Sequence, residues 1–186
     1  MLIQQLSTMD FSGHPEEALV RDRMISLIKT QPDCFHRNCF SPGHFTGSAL
    51  LLSADGSKTL LTHHRFLDCW LQLGGHCDGN SDVAQAALRE AVEESGISGL
   101  KLISEIPADL DIHRIPDNPK KGEPTHLHFD LRYLVRAPEN SLHQITEESL
   151  DLRWFTAEEA LALDIDTNLR RLIGKWKNGP FHPKVV

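Results

Sequence analysis

Between Pro15 and about Lys29, the apolar residues Ala18, Leu19, Met24, Ile25, Leu27 and Ile28 recur among charges at roughly helical spacing. This predicts an amphipathic helix, closed by Pro32. A looser stretch with Cys39, Pro42 and Gly43 follows, and then the continuous apolar run from Gly47 to Ser53 reads as a buried strand. Asp55-Gly56 is a hairpin signal, with Lys58 to Thr62 as the returning arm. Trp70 to Leu73 is a further short strand, expected to stop at Gly74-Gly75. Asn80 to Ser95 has helical periodicity, whereas Leu100 to Ile106 and Asp109 to Ile115 read as strands. Pro116 to Pro124 is rich in Pro, Lys, Asn and Gly and reads as a surface loop. Thr125 to Val135 alternates as a strand does, and Leu152 to Phe155 reads as a short strand. Thr156 can cap a helix over Ala157 to Leu163, and Asn168 to Trp176 suggests a last helix. There is no internal repeat, and strands and helices mixed in this order predict a sheet core with helices packed outside it.

At 186 residues, 40% of them hydrophobic, the chain can fill the core of one domain with at most a short extension, which excludes a disordered chain. A formal charge of −7 and a pI near 5.8 argue against a surface for polymeric nucleic acid, since that binding rests on clustered Lys and Arg. A nucleotide-sized ligand is compatible with this balance. No stretch approaches the roughly 18 consecutive apolar residues of a membrane span, and the opening residues lack a basic start and an apolar core. A cytoplasmic protein with reduced Cys34, Cys39, Cys69 and Cys77 is the expectation. Cys34 and Cys39 bracket His36, but these supply too few spaced ligands for a closed zinc site.

The chemistry concentrates between Gly75 and Ile97. On a helix, Glu90, Glu93 and Glu94 fall within an arc of about 100°, with Ala84, Leu88, Ala91 and Val92 opposite. Three carboxylates at these spacings repel one another, so a cation belongs among them. A hard ion such as Mg2+ prefers several oxygen ligands and retains waters that a phosphate can replace. Arg89 precedes Glu93 by four residues and can pair with it, and Gly96 suits a helix C-cap. By composition alone, a solvated helix face is the favoured reading of the three glutamates.

The register of these residues resembles the Nudix box, G-x5-E-x7-R-E-U-x-E-E-x-G-U with U aliphatic. Gly75, Arg89, Glu90, Ala91, Glu93, Glu94, Gly96 and Ile97 match eight of its nine defined positions over 23 residues. The departure is Ser81, where the box has Glu. Ser81 can instead cap the helix with Asp82 in its first turn, and Asp78, Asp82 or Glu148 could supply the missing oxygen. The resemblance implies the Nudix fold, an α+β mixed sheet sandwiched between helices, over residues 46–180, preceded by a helical extension over residues 1–45. It implies a Mg2+-dependent hydrolase, with Mn2+ as an alternative, acting on a nucleoside diphosphate linked to another moiety. Glu90, Glu93 and Glu94 would bind the metal and Arg89 would orient a glutamate. Glu90, Glu147 or Glu148 would activate water, and Gly75 would permit a tight loop. Many such enzymes are homodimers.

A second constellation is rich in histidine. Asp111 and His113 share strand parity, as do His126, His128 and Asp130, so a hairpin across the Pro116 to Pro124 loop gathers them on one face. Such a face is costly to bury without partners; it could bind substrate, position a base or ligate a transition metal, or form a structural network. Leu127, Phe129 and Leu131 would then fill the core and leave the histidines toward a cleft. His76 and Asp78, inside the box loop, are further candidates for substrate contact, and one of His63 and His64 could face the site. Trp70 and Trp154 read as core residues. Two other functions stay open. Isopentenyl diphosphate isomerases share the fold but resemble Cys-Gly-His at the catalytic loop, whereas here Cys77 follows Gly74-Gly75-His76. A binding module without catalysis is the reading that Ser81 alone suggests.

Overall fold

The computed structural model describes residues 2–9, 11, 15–147 and 149–180. Its elements run α1 (Leu2–Ser7), α2 (Glu16–Thr30), β1 (Gly43–Leu52), β2 (Thr59–His64), β3 (Cys69–Leu71), β4 (Leu73–His76), α3 (Val83–Ser95), β5 (Lys101–Leu102), β6 (Asp109–Ile115), β7 (His126–Arg136), β8 (Ser149–Phe155), α4 (Ala157–Ala162) and α5 (Thr167–Asn178). Among the described residues the strands form one eight-stranded mixed sheet, with β1 and β7 side by side and parallel at its centre. The C-terminal half of β1 pairs antiparallel with β2 and its N-terminal half with β4, so one long strand carries two partners on the same side. Every residue of β1 is buried, as expected of a central strand covered on both faces.

Alternation along β1 and β7 sorts the core into two layers. Phe45, Ala49, Leu51, Phe129, Leu131 and Tyr133 pack beneath α1, α2 and α3, while Leu50, Leu52 and Leu134 pack with Leu169, Leu172, Ile173 and Trp176 of α5. The sheet is therefore sandwiched between helices.

Several sequence expectations need correction. The first central strand begins at Gly43, because parallel pairing of Gly43 to Thr46 with Leu127 to Asp130 absorbs the polar residues that interrupt its apolar run. The Trp70 region makes two strands, and the second continues through Gly74-Gly75 to His76 because it pairs with Ala49 to Thr46. The expected strand from Leu100 to Ile106 shrinks to Lys101–Leu102. Val92, assigned to the buried helix face, is exposed.

Candidate functional site

The approach of α3 to the sheet is set by small residues. Ala84, Ala86, Ala87 and Ala91 are buried, and a Cβ at Gly47 of β1 would lie 2.7 Å from the Val83 carbonyl oxygen and 2.9 Å from the Ala87 nitrogen. The helix starts where the Asp82 carboxylate accepts the Gln85 N–H at 3.2 Å, and ends at Gly96 in the left-handed region with φ 68°. Asp82, not Ser81, is thus the cap: it stands immediately before the first helical residue, Val83, and its carboxylate turns back to the Gln85 N–H, whereas Ser81 is exposed.

At this close range the acidic face of α3 grips the backbone of β4. Glu94 accepts the Gly74 N–H at 2.9 Å. The Glu90 carboxylate lies against Gly75, where a Cβ would come within 2.4 to 2.6 Å of it. Arg89 donates to the His76 carbonyl at 2.7 Å, pairs with Glu90 at 2.9 Å and Glu93 at 3.0 Å, and stands 3.5 Å from Asp78. Burial raises the proton affinity of Glu90, and the charges of Glu93 and Asp78 add to this while Arg89 opposes it. The donors suit a hard divalent cation in kind, being carboxylates beside a backbone approach that only glycine leaves open. The Arg89 guanidinium supplies the positive charge between Glu90 and Glu93 in this structure.

Gly75 and His76 alternate across β4, so the imidazole of His76 stands on the other face from Glu90. There it meets the histidine face. In β6 and β7, Asp111 pairs with Asp130 and His113 with His128, the hairpin that strand parity anticipated. His44 of β1 sits beside His128. The His128 ring has the rings of His44, His126, His76 and His113 around it, at centroid distances of 4.7, 5.2, 5.4 and 5.4 Å. Phe40 covers His126 at 5.1 Å. Contrary to the expected cleft, His44 and His126 are buried and His128 is only partly exposed, with Phe40 packed against the rings of His44 and His126. Burial is the leading cause that pushes the pKa of His44 down to about 4 and that of His128 to about 2, and it lowers His76 as well. For His113 burial acts the same way, but its 2.8 Å bond to Asp111 and the charge of Asp130 outweigh it and raise the pKa.

The rest of the acidic strip is neutralised from inside the fold. Arg132, almost fully buried, reaches Asp130 at 2.9 Å, Asp111 at 3.1 Å and Asp109 at 3.3 Å. Arg171 and Lys175 of α5 each reach Asp109 at 2.8 Å, and Lys175 also meets Glu17 of α2 at 2.5 Å.

The structure thus brings together Gly75, His76, Asp78, Arg89, Glu90, Glu93 and Glu94 around β4, and joins His113, His126 and His128 to them through the ring of His76. Glu148 lies outside the described residues, and neighbouring Glu147 is exposed. His63 and His64 do not join the group: His63 stacks on Trp70 at 5.1 Å, and His64 accepts the Leu67 N–H at 3.2 Å. The thiols of Cys34 and Cys77 are buried and pushed up to about 11 and about 12, chiefly by that burial, so both are held as unreactive thiols. Two residues were missed. His44 sits in a stretch without period, and only its place two residues before Thr46 in a continuing strand could have signalled it. Arg37 pairs with Glu123 at 3.1 Å across the site's rim, a contact of long sequence separation that no local pattern encodes.

Comparison with known proteins gives a consistent result. The family described as NUDIX domain matches residues 44–176. A protein described as "Probable DHNTP pyrophosphohydrolase" from Lactococcus lactis subsp. cremoris is 31% identical over 94 residues, covering 50% of this chain and 54% of that protein. The chain therefore spans about half the length of the curated relative it matches. Among solved structures, a C. elegans Ap4A hydrolase binary complex superposes with TM-score 0.57 at 18% identity, covering 72% of this chain and 94% of that one. A NUDIX-family hydrolase from Clostridium perfringens gives TM-score 0.55 at 23% identity, with 72% and 96% covered. The E. coli dihydroneopterin triphosphate pyrophosphohydrolase gives 0.51 at 18%, with 70% and 92% covered.

Proposed function

Because the chain belongs to the NUDIX domain family, we propose that it is a divalent-metal-dependent hydrolase that cleaves a nucleoside diphosphate linked to another moiety, by attack of water at phosphorus. The observation that carries this reading is the acidic face of α3 held against the glycine backbone of β4, with Glu90 under Gly75 and Glu94 on the Gly74 N–H. Glu90, Glu93 and Glu94 would hold Mg2+, or Mn2+ in its place. Such an ion, when bound, neutralises phosphate oxygens and lowers the pKa of a coordinated water. Arg89 orients Glu90 and Glu93 and ties them to the His76 carbonyl. Glu90, whose burial favours its protonated form, suits a general base better than an exposed glutamate would. Glu148 is assigned as a further metal or base residue. Gly75, His76, Asp78, His113, His126 and His128 are assigned to the substrate.

Residues 46–180 would form the catalytic domain and residues 1–45 an extension whose helices pack with α3 on the sheet face opposite the histidines and whose Phe40 reaches His126. The partner is a small-molecule diphosphate, and a homodimer is the assembly to check by light scattering. No helix among the described residues is long and apolar enough to cross a membrane, and four free cysteines suit the reducing cytoplasm proposed here.

The test is a panel of sugar nucleotides, dinucleoside polyphosphates and pterin triphosphates assayed with Mg2+ and Mn2+. Release of a monophosphate product is expected, with turnover reduced roughly a hundredfold or more in Glu93→Gln while the thermal midpoint is kept. Binding without turnover across the panel, or undiminished activity in that variant, would refute the assignment.

A further inference from the structure

We propose that His44, His76 and His128 form a second metal site, selective for a borderline transition ion such as Zn2+, separate from the carboxylates of α3. Each of the three offers one ring nitrogen, and these nitrogens all lie within 4.8 Å of one another. Three different strands supply them, β1, β4 and β7, so the backbone hydrogen bonds of the sheet hold the arrangement. Among the described residues this histidine trio is the group gathered so closely; the three glutamates are not.

The second observation is independent of that spacing. His44 is 1% exposed, yet its Nε2 has no hydrogen-bond partner, and the buried Nε2 of His128 has none either. Buried polar atoms are ordinarily satisfied, so two orphaned imidazole nitrogens facing a third ring require a ligand. The tautomer of His44 is the ligating one: its Nδ1 lies 3.1 Å from the Cys39 carbonyl and donates to it, which leaves the lone pair on Nε2. A carbonyl holding the far nitrogen of the ring is the usual support for a metal-bound histidine. Burial also keeps the three rings uncharged near neutral pH, the form that coordinates.

The donor set names the ion class. Three neutral imidazoles without a carboxylate suit Zn2+, Co2+ or Fe2+, whereas Mg2+ demands oxygen. The nearby carboxylates are committed elsewhere, Asp130 to Thr46, Ser48 and Arg132, and Asp111 to His113 and Arg132. Zn–N bonds of about 2.0 to 2.1 Å require the nitrogens to draw in by roughly 1 Å. Three histidines leave the fourth tetrahedral position to water or a phosphate oxygen, as in zinc sites that keep an open position.

The test uses the full chain, stripped with EDTA and titrated with Co2+ in excess Mg2+, with no substrate present. The expected result is one Co2+ per chain, with the intense visible absorption of a four-coordinate nitrogen site, displaced by an equivalent of Zn2+. His76→Asn, a partly exposed position, should abolish that absorption while keeping a cooperative thermal melt. Glu93→Gln should leave it intact. Weak six-coordinate absorption in the wild type overturns the proposal whatever the variants do, as does an unchanged spectrum in folded His76→Asn or a lost one in Glu93→Gln. If His76→Asn does not fold, the wild-type and Glu93→Gln spectra decide alone.

Discussion

At Gly75 the missing side chain is what lets a half-buried carboxylate rest on the sheet. Its backbone is not in the left-handed region, so alanine is conformationally acceptable, but the new Cβ would displace the Glu90 carboxylate from 2.4 to 2.6 Å away. Because that carboxylate is the far end of a flexible side chain, Gly75→Ala should change stability little while lowering kcat by about a hundredfold, the usual effect of misplacing a catalytic group by an ångström. Equal losses in urea midpoint and kcat would show that the glycine serves packing instead. Glu90 itself should trade stability for activity. Its folded pKa is raised, first by burial, so its contribution to stability is present below the ordinary carboxylate pKa and lost as pH rises through the folded value. Glu90→Gln should therefore raise the melting temperature of EDTA-treated protein at neutral pH while turnover collapses. A lower melting temperature would mean that the pairing with Arg89 outweighs burial. Gly75, Arg89 and the three glutamates were legible at this scale because a helix converts sequence spacing directly into a shared face. The partition of their charge was not, since burial and the neighbours of Arg89 come from residues distant in sequence.

Helix α3 is defined by its two ends, and only one of them was read in register. Gly96 closes it as expected, but its start depends on which of two adjacent polar residues turns its side chain back to the first turn. Asp82→Ala should cost about 1 kcal/mol of stability in urea denaturation, and Ser81→Ala should cost close to nothing. Equal costs would return the cap to Ser81. The strands show the same division. The shared face of β6 and β7 was anticipated from parity alone, because period-two alternation puts Asp111, His113, His126, His128 and Asp130 on one side of the hairpin, while the register that sets Asp111 opposite Asp130 came from the fold. The passage of β4 through Gly74-Gly75 was not, since two glycines ordinarily punctuate a strand and here serve close contact with α3.

Across the whole molecule, one polar strip runs through an apolar sandwich, and its titration should dominate the response to acid. His44, at about 4 against an ordinary 6.5, takes up a proton on unfolding as pH falls below that ordinary value. Stability is thus complete above about 6.5 and declines below it, by about 3 kcal/mol from His44 over that interval. His128 and His76 are shifted the same way. His113 is shifted oppositely, its contribution being present below the ordinary value and lost as pH rises through the folded one. Three against one predicts a urea midpoint that falls between neutral pH and about 5, and a flat or rising midpoint would show the rings to be hydrated. The same strip explains how the N-terminal helices join the fold, through Glu17 meeting Lys175 of α5 and through Leu2, Leu6, Met24 and Leu27 in the core shared with Phe45 and Phe129. What the sequence determined by itself was local: the helix that carries Arg89, Glu90, Glu93 and Glu94, the strand parity of the histidines, and the spacing by which the family is known, all set by periods of 3.6 and two. Tertiary structure alone decided that His44 would join His76 and His128, that Arg132 would neutralise three aspartates, and that Arg37 would reach Glu123. Apart from the pairing of Arg132 with Asp130 two residues away, those meetings join residues tens of positions apart, and they depend on strand order and layer packing, which no periodicity along the chain specifies.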